Sequence, residues 1–577
     1  MDDQARSRIA EYTDLTRRGS GVFWERLKKW FLITALVGAT VGLGVTLLDL
    51  AVAAIWGTVS SSPSPLTVVL APTVGLLLSG LALQYLTVNP EVQGTEEVIE
   101  AFHERGGVFR FRSFPGKVLA AIATVGFGGS AGLEGPSIYL GGALGAFVLR
   151  KIRRFGFTDE DVRTLMVAGA AAGVSAIFKA PLTGIVFALE VPYRDDLTRE
   201  ALIPSLIASV TSYLVLVQFL GVEPLFLVSQ RYTFVMRDLL YSAVVGLVVG
   251  LLARAFVASF HSMSNLAGRV SAPLWLRTAS GGLLTGLFGL AALKLMGEPA
   301  VLGTSYPAVQ KLVTGDLAQA QAIEMLVLKA GATLATLASG AAGGIFIPMI
   351  VLGATSGVIV RGLLPGAAGS MFPVVGMAAF LAAGYNTPIA ATVFVAETTG
   401  GAGYLIPGLI AAAVAFTIAG KTSVSDKQRW RRQTRLDKVM GARVSTIMTP
   451  EVVSLAAEET VYDFVTGHLV RERHKSMPVV DREGRLVGMV GLTDINSVPR
   501  EAWRETTIQD VMTTDLVTVT RRALVGELVE LMAAHDIDRV PVTDAEDPSR
   551  LLGIVSVTDV MAMGDVCADW RTARSHI

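Results

Sequence analysis

Cysteine occurs once in the 577 residues, as Cys567. A single thiol excludes a disulfide framework and any zinc site built on cysteine. Charged side chains are scarce, 17% of the chain against about 25% in an ordinary soluble domain. Net charge is absent too, with 49 basic and 49 acidic residues. That excludes an overall basic nucleic-acid binder and an acidic disordered chain. The six histidines have no metal-ligand spacing, and His103, near Glu100 and Glu104, reads as part of a solvated face. No Ser/His/Asp set can be argued, so no enzyme and no metal are expected. The AGKT run at 419–422 lacks the first glycine of a phosphate loop, because Ala415 stands there. The first 30 residues mix charges, without the short basic start and immediate apolar stretch of a cleavable signal peptide.

What is present is apolar surface and glycine. Hydrophobic residues make 51% of the chain, and there are 59 glycines, about 10% against a usual 7%. Apolar runs lie near 30–48, 66–86, 117–149, 162–190, 201–221, 239–258, 279–297, 323–362, 372–399 and 403–420. Several can cross a bilayer core of ~30 Å. Others are broken by glycine and proline, as in GFGGSAGLEGP (126–136) and SGAAGGIFIP (339–348). Broken helices at membrane depth survive only where protein buries them or they line a cavity. The expected fold is an all-α polytopic membrane protein with broken helices, followed by a smaller α/β region.

Two repeats organise the chain. APLTGIVFALE (180–190) is answered by TPIAATVFVAE (387–397), and GLEGPSIYLGGALG (132–145) by GIFIPMIVLGATSG (344–357). The order is kept at nearly one offset, so two related halves are expected, about 31–222 and 223–420, with a transport site at their interface. Residues 1–30 then form an N-terminal segment and 421–440 a basic linker. The run 421–438 holds seven basic and two acidic residues, which by the positive-inside rule places both terminal parts in the cytoplasm. RKIRR (150–154) reads as an interfacial anchor. Within 441–577, VSTIMTP, SMPVVD and LVGMVGLTDI return as IQDVMTT, RVPVTD and LLGIVSVTDV, giving units at 441–500 and 501–577. Charge splits here: 14 basic and 22 acidic residues give −8 for 441–577, leaving 35 and 27, or +8, for 1–440.

Glu134 is the residue the membrane holds at highest cost. Among glycines and just ahead of an apolar helix, it sits where unpaired N–H groups and the helix dipole favour an anion. Its carboxylate can occupy that place itself and yield it when protonated or displaced. GGIFIP (343–348) is uncharged, so its contribution is backbone N–H groups near Ile345, Phe346 and Ile347, with glycines permitting close approach.

GLEGP, GGIFIP, the APLTGIVFALE segment between them and a C-terminal CBS-like pair together resemble the CLC family of chloride channels and proton-coupled chloride transporters, over about residues 30–577. The resemblance implies an inverted repeat of broken helices and homodimers with one pathway per subunit in the bilayer. It implies Glu134 as gate and proton-exchange residue, and an anion pathway formed by Gln93, Gly94, Gly132, Gly135, Pro136, Gly344, Ile345, Phe346, Ile347, Pro348 and Val424. Three departures stand out. Gln93 in VQGTEE (92–97) replaces the serine that contacts the central anion in the family. The pore-lining tyrosine falls near Ser423–Val424, where none is present. The inner proton-transfer glutamate falls on Val191, which carries no proton. Glu190 and Glu397, at equivalent repeat positions, read as structural helix-end acids. The CBS-like pair implies an adenine nucleotide. Asp494 and Asp559 fit the ribose-binding position, and Asp559 with Ser556 is the better set because Gly491 replaces the hydroxyl in the first unit.

These residues imply permeation of chloride or another small anion, gated by voltage or pH, passive because of Val191 and regulated by the cytoplasmic CBS-like pair. A proton-coupled chloride or fluoride antiporter is the alternative. A CBS-containing membrane sensor without transport is the alternative of another class. No cofactor beyond the nucleotide and no nucleic-acid partner is expected.

Overall fold

The computed structural model describes residues 3–61, 63–91, 94–152, 158–228, 232, 235–364, 369–431, 439–469 and 476–563, with side chains from Trp30 onward except at 149, 152, 159 and 563. The chain divides into two compact units, Met1–Arg431 and Arg432–Ile577.

The first unit is helical. Its first half contains α1 (Asp3–Ser60), α2 (Pro65–Leu86), α3 (Gly94–Glu104), α4 (Phe114–Gly126), α5 (Glu134–Ile152), α6 (Asp159–Phe178), α7 (Pro181–Glu190) and α8 (Leu202–Leu220). Its second half contains α9 (Arg237–Arg269), α10 (Leu274–Met296), α11 (Tyr306–Thr314), α12 (Gln319–Ala338), α13 (Phe346–Leu363), α14 (Met371–Tyr385), α15 (Pro388–Thr398) and α16 (Leu405–Ala419). The polar N-terminal segment does not stand apart, since one helix runs from Asp3 into the first span. Among the described residues, nine helices are long and apolar enough to cross a membrane. In most, under half of the apolar stretch is buried by the protein, whereas in α6 and α13 83% and 78% of it is, so these two form the interior.

The halves repeat each other. α1 packs on α8 as α9 packs on α16, and α5 on α6 as α13 on α14. Left-handed residues end equivalent helices: Lys179 (φ 51°) closes α6 and Asn386 (φ 57°) closes α14, an offset of 386 − 179 = 207. Each turn feeds a short helix that opens with proline, α7 or α15, where proline's missing N–H costs nothing. An antiparallel bridge joins Gly132 to Gly344, each N–H donating to the other's carbonyl at 2.8 Å. Equivalent residues paired with each other mark a two-fold relation between the halves.

The basic stretch expected as a linker is built into this unit as far as Arg431. Arg194 N–H donates to the Arg429 carbonyl (2.9 Å) and Asp195 N–H to that of Trp430 (3.1 Å). Residues 432–438 lie outside the described residues.

The second unit holds two three-stranded sheets, β1 (Leu455–Ala456), β2 (Ser476–Val480) and β3 (Leu486–Gly491), then β4 (Val519–Thr520), β5 (Arg539–Thr543) and β6 (Leu551–Ser556). In each, the first pair is parallel and the second antiparallel, with an irregularity at the same place, Val479/Val480 and Val542/Thr543. The segment preceding each repeat serves the other one. Thr449 bridges Ile554 of β6, and Thr513 bridges Met489 of β3.

Candidate functional site

The loop before α5 is short of side chains, so its neighbours hold it. Ser130 N–H donates to Thr336 Oγ1 (3.0 Å), and Ser130 Oγ meets Thr333 Oγ1 at 3.0 Å, both threonines lying on α12. Gly128, at φ 93°, accepts from Gly303 N–H (3.1 Å). The loop carrying Gly303 is gripped in turn by Lys329 of α12, wholly buried, whose Nζ donates to the carbonyls of Val301 (3.1 Å) and Gly303 (3.0 Å) and to Ser305 Oγ (2.8 Å). Sequence reasoning missed Lys329. The signal was a lysine inside a spanning apolar helix.

Glu134 is the first residue of α5 and is 1% exposed. Its Oε1 accepts from the Phe346 backbone N–H at 2.5 Å, across the Gly132–Gly344 bridge. Its Oε2 has no hydrogen-bond partner among the described residues. Glycine is required on both sides, since a Cβ on Gly132 or Gly344 would lie 1.9 or 2.0 Å from the carboxylate oxygens. The Phe346 ring fixes the donating N–H. It packs against Phe178 of α6 (4.8 Å between ring centres), Phe187 of α7 (5.3 Å), Phe394 of α15 (5.1 Å) and Tyr385 of α14 (6.0 Å). A helix N-terminus in the second half thus holds the carboxylate presented by the first. A free anion would be held by the same dipole and N–H groups.

Beside this contact lies a cavity of about 150 Å³, lined by Gly135, Gly343, Gly344, Ile345, Thr95, Tyr385, Val424, Glu91 and Glu96, among others. Gly94 (φ 59°) starts α3 and abuts α5, its Cβ position falling 3.2 Å from Gly135 Cα. Gln93 lies outside the described residues. Pro136 borders a smaller pocket with Lys117 and Tyr139, and Ile347 and Pro348 are buried in the first turn of α13. The cavity wall has a tyrosine after all. Tyr385, at the end of α14, stands with Val424 and beside the Thr95 hydroxyl. It comes from the end of α14 and not from 423–424, where the family resemblance puts a tyrosine.

Val191 differs in kind. It closes α7 and is 3% exposed. It faces a small pocket lined by Val98, Phe102, Ile138, Met166, Phe187 and other apolar side chains. Gln428 spans both regions, its Nε2 donating to the carbonyls of Val191 (2.9 Å) and Tyr385 (2.8 Å).

Glu190 and Glu397 cap each other's helices. Glu190 accepts from Ile389 N–H (3.2 Å) and Ala390 N–H (2.8 Å) at the start of α15. Glu397 accepts from Leu182 N–H (3.0 Å), Thr183 N–H (2.8 Å) and Thr183 Oγ1 (2.8 Å) at the start of α7. The expected solvated face around His103 is not one. His103 Nε2 sits 2.7 Å from the Pro192 carbonyl and its ring packs on Phe102 and Tyr193. Glu100 is buried and pairs with Arg105 and Lys427. Only Glu104 is exposed. Burial lowers the His103 pKa, against the pull of the Pro192 hydrogen bond. Of the RKIRR run, Arg150 and Lys151 end α5, with Lys151 over the Phe147 ring at 5.7 Å, and residues 153–154 lie outside the described residues.

In the second unit both candidate aspartates cap short helices. Asp494 accepts from Gly491 N–H (2.7 Å), and Asp559 from Ser556 N–H (2.8 Å) and Ser556 Oγ (2.6 Å). A cleft of about 420 Å³ lies on the Asp494 side. Ser476, Thr493, Thr513, Asp536, Asp538 and Arg539 are among its walls, and neither Ser556 nor Asp559 is.

Residues 74–420 match the family described as voltage gated chloride channel, and 444–501 and 508–563 match CBS domains. The chain belongs to the voltage gated chloride channel (CLC) family. A CLC relative from Ralstonia nicotianae, named as a ClcB-like chloride channel protein, is 30% identical over 61% of this chain and 82% of its own. An uncharacterised protein of Methanocaldococcus jannaschii is 26% identical over 68% of this chain and 93% of its own. Three solved structures share the fold. A CLC-type fluoride/proton antiporter has a TM-score of 0.60 at 23% identity, covering 70% of this chain and 98% of that one. A slow cyanobacterial Cl−/H+ antiporter has 0.60 at 22%, covering 68% and 94%. A eukaryotic CLC transporter has 0.59 at 20%, covering 92% and 98%. The protein is therefore a multi-pass integral membrane protein of a CLC type, with CBS domains at its C-terminal end.

Proposed function

We propose that the protein is a passive chloride-type anion pathway gated by Glu134. The observation that carries this reading is the Glu134 carboxylate seated on the Phe346 N–H, at a helix N-terminus of the other half. A seated carboxylate fills the place an anion needs. Protonation weakens its hold on an N–H donor and lets an anion compete. Passivity is supported by Val191, which offers no proton acceptor and lies among apolar side chains.

The test is flux and pH together. The protein is reconstituted in liposomes with a chloride gradient, and external pH is followed. Chloride efflux without proton movement is expected, and uphill proton movement overturns passivity. Proton-coupled antiport is the second reading, favoured by the two structural neighbours that are antiporters, one of them for fluoride. No flux at all would favour a sensor.

The bilayer surrounds the first unit in this reading. A second copy of the chain is its partner, with exposed apolar side chains such as Leu182, Leu206, Ile389 and Ile406 available to either. The basic segment after α16 supports a cytoplasmic location for both terminal parts. An adenine nucleotide is the proposed CBS ligand, with Asp494 in the cleft and Asp559 with Ser556 as the residues to test.

A further inference from the structure

The cavity beside Glu134 has a second acid on its wall that the pathway above does not use. Glu96 lies in the first turn of α3, an 11-residue helix that is not among the spanning ones. It is half-buried and lines the cavity together with Glu91, which is exposed and marks the mouth. The groups facing Glu96 are Ser425, Asp426 and Lys427 from the segment after α16, His261 from α9 and Tyr385 from α14. Its own helix carries Glu97 and Glu100. The nearby cations are engaged elsewhere. Lys427 is 3.5 Å from Glu100, His261 is 3.5 Å from Asp426, and Lys117 pairs with Glu97. Among the described residues no cation lies within ion-pair distance of Glu96. A carboxylate without an ion pair on the wall of an anion cavity repels what the cavity is shaped to admit.

We infer that Glu96 is a second charge gate, which closes the cavity mouth to anions when ionised and opens it when protonated. The proton is taken from the solution that Glu91 meets and returned to it, with only the carboxyl O–H made and broken. The inference rests on the anion-pathway reading above. Burial pushes the Glu96 carboxyl up to about 7; the Ser425 hydroxyl pulls it back, Asp426 adds to the rise, and Lys427 and His261 oppose it. The protonated fraction then rises about tenfold as pH falls from 8 to 6.

The experiment uses the full chain in liposomes at equal pH on both sides, reading chloride efflux at pH 8, 7 and 6. Glu134→Gln, which removes the first gate, is expected to keep a rise of about tenfold over this interval. Glu134→Gln with Glu96→Gln is expected to be flat. Glu134→Gln with Glu96→Asp, which keeps a carboxyl, is expected to recover the rise, a rescue that lost packing would not produce. A flat profile for Glu134→Gln alone, or an equally steep one for the double Gln variant, overturns the inference. Failure of the Glu134 reading looks different: Glu134→Gln then behaves as wild type, while Glu96→Gln alone loses the rise.

Discussion

Gln428 touches two regions of opposite character. On one side, at the Tyr385 carbonyl, is a cavity that sets hydroxyls, glycine backbone and carboxylates among apolar side chains such as Phe260, Leu337 and Val424. On the other, at the Val191 carbonyl, is a small pocket lined by apolar side chains. The first can replace an ion's hydration, while the second offers nothing that accepts a proton. The contrast teaches that anion and proton requirements are separable within this fold. In the proposed reading, the chain keeps the helix N-terminus and the glycines while valine stands at 191, where the family resemblance puts a glutamate.

The comparison can be broken most forcefully at Glu134. Glu134→Gln is expected to raise chloride efflux at pH 7.5 about tenfold, equivalent to about 1.4 kcal/mol. Efflux unchanged from wild type would remove the gate from this side. Next is Val191→Glu, which puts an acid among apolar side chains. A destabilisation of about 3 kcal/mol or more is expected in thermal unfolding, and an unshifted transition would mean that water reaches the pocket. Glu397→Ala leaves the α7 N–H groups unpaired and is expected to cost about 1–2 kcal/mol, with Glu397→Gln recovering part of it. The smallest effect is expected for Tyr385→Phe, which keeps the ring packing and removes one hydroxyl. A twofold to threefold drop in chloride flux relative to nitrate, read in the same vesicles, checks it; about 0.5 kcal/mol suffices. An unaltered ratio would show that the hydroxyl does not meet the anion.

Much of this was legible from residue spacing. The two glycine-broken segments at an offset of 212 anticipated the Gly132–Gly344 bridge, because small residues recurring with a lone acid have few other uses in a bilayer. The CBS repeat was equally plain in its strand pattern. Other features lay beyond any linear reading. Tyr385 reaches the cavity from a helix end that no motif marks. The reciprocal caps of Glu190 and Glu397 depend on two helices meeting across the repeat. His103 and Glu100 looked like a solvated face because helical periodicity alone does not tell lipid, water and protein neighbours apart. The cleft at Asp494 follows from strand placement, whereas the presence of a hydroxyl at Ser556 had favoured the other end.

The exchanged glutamates also bear on how the chain is made. Each half supplies the carboxylate that finishes a helix in the other, so a first half leaving the ribosome carries a helix start whose folded-state cap has not yet been made. Backbone N–H groups left bare in lipid are costly. The early half must therefore remain loosely assembled, or shielded by other membrane components, until the last helices are synthesised. Separately expressed halves are bound to seek each other out.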